Sequence, residues 1–146
     1  MFSREVREGG TRVGFEVVDV ANAKVGWLAH VNGQGSPQVG KYHVNLADLE
    51  AIGVKAISEA TEKQDMVVID EAGPMELFSE KFKQATRKAL ESQKLILAVV
   101  HQKAQDKLIT EVKGRPDTET FMVTVENRET LNETLAEKAM AFLQQT

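Results

Sequence analysis

Polar and apolar positions follow two different rhythms along this chain. From Arg12 to Val20, and again from Lys24 to His30, they alternate in the manner of half-buried strands. Gly9-Gly10 marks a turn between the first of these runs and a charged leading segment, Phe2 to Glu8, and Asn22-Ala23 separates the two runs. Val31 to Gly40 holds three glycines and Pro37, which predicts a mobile loop. The first third is therefore expected to be antiparallel β structure.

Beyond Asn45 the pattern changes to strands alternating with helices. Asn45, with Asp48 three residues later, suits the cap of a helix to about Lys63, its inner face carrying Leu49, Ile52, Ala56 and Ala60. Met66-Val67-Val68-Ile69 is a continuous apolar run of the kind a doubly covered parallel strand requires. A helix is expected from about Ser79 to Ser92, with Phe82, Ala85 and Ala89 facing inward. Leu95 to Val100 predicts a second buried strand ending at His101, and a short helix from Ala104 to Val112 leads to the Gly114-Arg115-Pro116-Asp117 break. Thr120 to Val125 alternates as a third strand, and a last helix, Asn127 to Gln144, is expected to bury Leu131, Leu135 and Phe142. This order predicts an α/β fold, one domain over residues 1–146, with a mainly parallel sheet and right-handed crossovers behind an N-terminal antiparallel hairpin region.

Composition narrows the function classes. A chain of 146 residues, 42% hydrophobic and 27% charged, suits a single globular domain. Its net charge of −4, with no dominant basic stripe, argues against nucleic acid as a partner. There is no cysteine, hence no disulfide framework or thiolate metal site, which suits the cytoplasm. No run approaches the roughly 20 apolar residues of a membrane span.

The chemistry concentrates where the first apolar strand ends, at Asp70-Glu71, followed by Ala72-Gly73-Pro74-Met75-Glu76-Leu77. Ligands of open α/β sheets bind at that edge. A strand tipped with two acids is the Walker B pattern, in which Asp70 would serve Mg²⁺ through water and Glu71 would orient and deprotonate an attacking water. Gly73-Pro74 forces a sharp exit that leaves both acids at the rim. His101, at the end of the next apolar strand, is placed to sense a γ-phosphate. Arg115 is a candidate arginine finger, Arg4 a candidate phosphate neutraliser, and Tyr42, like Trp27, a candidate base-stacking ring. Gly35-Ser36-Pro37-Gln38-Val39-Gly40-Lys41 matches the phosphate-loop string, yet no apolar strand precedes it, and Tyr42 stands where a Ser or Thr hydroxyl should follow. It is expected to be an ordinary surface loop.

Taken in order, Ser3 to Gly10, Val13-Gly14-Phe15, Gly26 to Val31, Val39 to Tyr42, Val44-Asn45 and Val68 to Leu77 resemble the P-loop nucleoside-triphosphatase family, typified by thermophile enzymes and the human cancer-related nucleoside-triphosphatase. The resemblance covers nearly the whole chain. It implies a three-layer P-loop fold and hydrolysis of nucleoside triphosphates to diphosphates with Mg²⁺ and broad base tolerance. It maps Walker B onto Asp70 and Glu71, and the strand-end polar position onto His101. Family members open with a strand, phosphate loop and helix before the segment matching Met1-Phe2-Ser3, so the chain is expected to lack that unit and to be weak alone. The lost strand is expected to leave an exposed edge along Ile69, available for homo-oligomer pairing. A nucleotide kinase, or a non-catalytic module binding through that edge, are the alternatives.

Overall fold

In the computed structural model, residues 1–35 and 37–145 are described. Seven strands form one mixed sheet: β1 (Phe2–Glu8), β2 (Thr11–Asp19), β3 (Lys24–His30), β4 (Gln38–Val39), β5 (Tyr42–Val44), β6 (Met66–Ala72) and β7 (Leu95–Val100). Their order is β4-β5-β3-β2-β1-β6-β7. The expected α/β architecture is present, but the sheet is not mainly parallel. Parallel pairing is confined to β1-β6 and β6-β7, and the other four pairings are antiparallel.

One reason is that the expected third strand, Thr120 to Val125, does not form. Met122, Val123 and Val125 are 58%, 64% and 75% exposed. The Asn127 side chain instead accepts from the Thr124 amide and donates to the Met122 carbonyl, occupying groups a ladder would need.

The helix after Asn45 starts where expected, and the Asn45 side chain accepts the Asp48 amide at 3.0 Å. It runs as α1 (Leu46–Asp48), a π-helical stretch (Leu49–Val54) and α2 (Lys55–Lys63). Widening the helix there brings Gly53 against the core, where an added Cβ would lie 3.1 Å from Met1 Sδ and from Val17 Cγ2. A short 3₁₀ turn (Glu76–Phe78) precedes α3 (Glu80–Leu90), capped by Ser79, whose hydroxyl accepts the Phe82 amide. α4 (Lys107–Gly114) is capped by Asp106. α5 (Arg128–Leu143) forms but buries none of its residues: Leu131 and Leu135 are half-buried and Phe142 is 41% exposed. Its apolar positions do not line up on one stripe, so no single face can be sealed.

The core lies on one side of the sheet, where Leu28, Val67 and Ile69 meet Leu49, Ile57, Phe82 and Leu108. The opposite side of the β6-β7 pair exposes Val68, Leu97 and Val99. The expected open edge along Ile69 is closed only in part. β6 is paired with β7 except at Glu71, whereas on its other side β1 meets only its C-terminal half, where the Asp70 amide donates to the Met1 carbonyl and the Met1 amino group donates to the Val68 carbonyl. Among the described residues the outer edge on this side is β7. No described helix is long and apolar enough to cross a membrane.

Candidate active site

Apolar alternation buries Val67, Ile69 and Ala72 of β6, which holds the strand rigidly and fixes where its acids emerge. Asp70 lies opposite Val99 of β7 and Phe2 of β1. The register then slips between Asp70 and Ala72, so that Glu71 sits in a bulge, unopposed by β7. Bulges at sheet rims re-aim side chains next to functional sites.

His101 arrives beside this bulge because β7 runs parallel to β6. Its amide donates to the Ala72 carbonyl at 3.3 Å, and its Nδ1 accepts from the Lys103 amide at 3.3 Å. The structure thus brings Asp70, Glu71 and His101 to one rim. Sequence reasoning did not assign a role to a fourth member, Glu76. This carboxylate is 2% exposed, and its Oε2 accepts the Gly73 amide at 3.1 Å. A Cβ on Gly73 would stand 2.6 Å from Glu71 Oε1 and 3.1 Å from Glu76 Oε2, so any larger residue there would push the two carboxylates aside. Burial, reinforced by the charges of Glu71 and Asp70, pushes the Glu76 carboxyl up to about 7. The available signal was an acid six residues beyond Asp70 in an otherwise apolar Met-Glu-Leu-Phe turn.

The other expected site residues make contacts within the protein. Arg115 donates to Asp117 at 2.7 and 2.8 Å, to Glu91 at 2.8 Å and to the Leu90 carbonyl at 3.0 Å, which ties the end of α4 to that of α3. Arg4 pairs with Glu16 at 2.7 Å across the β1-β2 ladder. Tyr42 is 7% exposed, its ring edge-on to Phe15 and its hydroxyl accepting from Arg12 at 2.9 Å. The Gly35 to Lys41 string leads into β5 rather than a helix, so no helix N-terminus follows Lys41.

Comparison with known proteins supplies the family. Residues 1–136 match the NTPase family. The chain belongs to this family. It is 44% identical over 144 residues to the nucleoside-triphosphatase THEP1 of Thermofilum pendens, a match spanning 98% of this chain and 79% of that one. Against THEP1 of Methanosarcina acetivorans it is 45% identical over 139 residues, with 95% and 77% covered. The crystal structure of THEP1 from Aquifex aeolicus superposes with a TM-score of 0.80 at 26% identity, covering 92% of this chain and 78% of that one. Membership of the NTPase family makes this an enzyme of the nucleoside-triphosphate phosphohydrolase class. The fold likeness extends the assignment to the α/β sheet.

Proposed function

We propose that the β6 rim hydrolyses nucleoside triphosphates to diphosphates and phosphate, with Mg²⁺ as cofactor. The observation that carries this reading is Glu71 in a bulge beside Asp70, with His101 one strand away. Mg²⁺ characteristically takes one or two carboxylates and completes its shell with water and substrate phosphates. The rim fits that demand: two acids project at the strand end, and among the described residues no cluster of three or more ligating side chains would hold a metal on its own. Asp70 would hold the ion through water, and the bound ion would neutralise charge developing on the phosphates.

Glu71 acts as general base, taking a proton from water as it attacks the terminal phosphorus. His101 positions that water or the γ-phosphate. Glu76 grips the Gly73 amide and thereby fixes the turn that aims Glu71. Arg115 is engaged in holding α4 to α3, so it braces the fold rather than reaching the phosphates. Arg4 and Tyr42 hold the β1-β2-β5 wall. Low net charge and zero cysteines support a free nucleotide as substrate and the cytoplasm as compartment.

Mg²⁺-dependent phosphate release by the purified full-length protein tests the proposal. Glu71→Gln should lower kcat by roughly 100- to 10,000-fold without lowering the melting temperature. Unchanged kcat would remove Glu71 from its role, and a phosphorylated acceptor in place of free phosphate would favour a kinase. The β7 strand, outermost on its side of the sheet among the described residues, and the exposed Val68, Leu97 and Val99 favour a second copy pairing there. Light scattering should then give a dimer mass, and a monomer mass would exclude it.

A further inference from the structure

A cavity of about 470 Å³ opens at the C-terminal end of β3, lined in part by Trp27, His30, His43 and Asn45. Sheet register places it relative to the acids. Phe2 of β1 lies opposite Asp70, whereas Val6, four residues further along β1, lies opposite Gly14, which in turn faces His30. The cavity is therefore three strands across from Asp70 and about 13 Å further along the strand direction. It is a separate concavity on the ligand-binding edge of the sheet.

Its polar groups are set by local hydrogen bonds. His30 Nδ1 accepts the Asn32 amide at 3.0 Å, so the neutral ring carries its proton on Nε2 and keeps a donor there. His43 Nδ1 lies 2.6 Å from the Gly35 carbonyl, which can only accept, so the neutral ring carries its proton on Nδ1 and keeps an acceptor on Nε2. Asn45 spends its carbonyl oxygen on the Asp48 amide, which leaves its amide nitrogen as a donor. Beside them the Trp27 indole stands edge-on to His30, ring centroids 4.6 Å apart. A slot walled by an aromatic ring and bearing both donors and an acceptor complements the flat, doubly functional edge of a nucleobase.

We propose that this cavity binds a nucleobase, with Trp27 as its aromatic wall and His30 and His43 reading its polar edge. The base belongs either to the hydrolysed nucleotide or to a second, separately bound nucleoside. This assignment does not rest on the hydrolytic role of Glu71, because its ligand needs no phosphate.

Trp27 is the one tryptophan of the chain, so its emission reports on the cavity directly. The experiment titrates the full-length protein with adenosine, guanosine and cytidine in the absence of Mg²⁺ and phosphate. A saturable change in Trp27 emission is expected, weakened about tenfold in His30→Ala and in His43→Ala. Should either variant fold poorly, saturation-transfer NMR from the indole protons to the nucleoside in the unmodified protein gives the same reading. Steady-state hydrolysis with added adenosine then distinguishes the sources. Competitive inhibition, raising KM at constant kcat, identifies the substrate's own base, and a change in kcat identifies a second nucleoside. No saturable emission change and no saturation transfer up to the solubility limit would overturn the proposal. Equal affinity in well-folded variants of both histidines would do the same.

Discussion

β6 and the segment from Thr120 to Val125 are both short, apolar-rich and bounded by polar turns, yet one is the rigid spine of the site and the other is not a strand. β6 has a partner on each side, and its Val67 and Ile69 are fully buried. The later segment meets no free ladder, and Val123 and Val125 stand mostly in solvent. An apolar run becomes a strand through its neighbours. Propensity supplies a candidate, and burial against two faces decides. Function follows the same division, since only a strand held on both sides can keep a bulge and its two acids in a fixed orientation.

Truncating a side chain in each region should separate them most sharply. Ile69→Ala removes a fully buried side chain and should cost about 2–5 kcal/mol of stability, read from urea denaturation. Val123→Ala, at a position 64% exposed, should stay within about 0.5 kcal/mol. Similar losses in the two variants would mean that the later segment is packed against something in solution, and the contrast would fail.

The acids that close the two regions should respond to pH with opposite sign. Glu76, at the exit of β6, has its carboxyl raised to about 7 from the usual value of 4.5, chiefly by burial. A raised carboxyl means that the folded state binds more protons than the unfolded chain between those values, so stability falls as pH rises from about 4.5 to 7. The span corresponds to about 3 kcal/mol at most. Glu76→Gln should flatten that decline and gain on the parent protein between pH 5 and pH 8, as followed by denaturation midpoints at each pH. Glu126, just past the later segment, is instead held below its usual value by its own backbone amide and by Thr124. Its contribution is present above the usual carboxylate range and fades as pH falls. An unchanged slope in Glu76→Gln would mean that water reaches the Glu76 carboxylate.

Much of this was legible in advance where the cause is local. Asn45 and Ser79 cap the helices they precede, through side-chain contacts three residues long. The apolar runs of β6 and β7 announce buried parallel strands, and the Asp70-Glu71 tip announces the rim. What escaped depends on distant chain. Arg115 looked free in sequence, but its partner Glu91 is 24 residues away. Tyr42 is fixed by Arg12, 30 residues earlier. The π-helical stretch answers to Met1 and Val17 packing on Gly53. Glu76 was visible as a residue, but its burial depends on the Gly73 turn folding back over it, which no spacing rule conveys.

The smallest expected effect lies in the contacts that keep Thr120 to Val125 out of the sheet. Asn127 holds this segment through the Thr124 amide at 2.7 Å and the Met122 carbonyl at 2.8 Å, and the Thr124 hydroxyl accepts the Asn127 amide at 3.3 Å. All three bonds lie near solvent, where each contributes little because water can replace the lost partner. Asn127→Ala should therefore lower overall stability by about 1 kcal/mol or less, since it also loses a favourable residue at the start of α5. The local consequence should be larger than the global one. Amide exchange at Thr124 should accelerate markedly, while Val67 and Ile69 in β6 keep their protection. If exchange at Thr124 instead slowed, the freed segment would have found a strand partner, and β7, the exposed edge of the sheet, is the place to look for it.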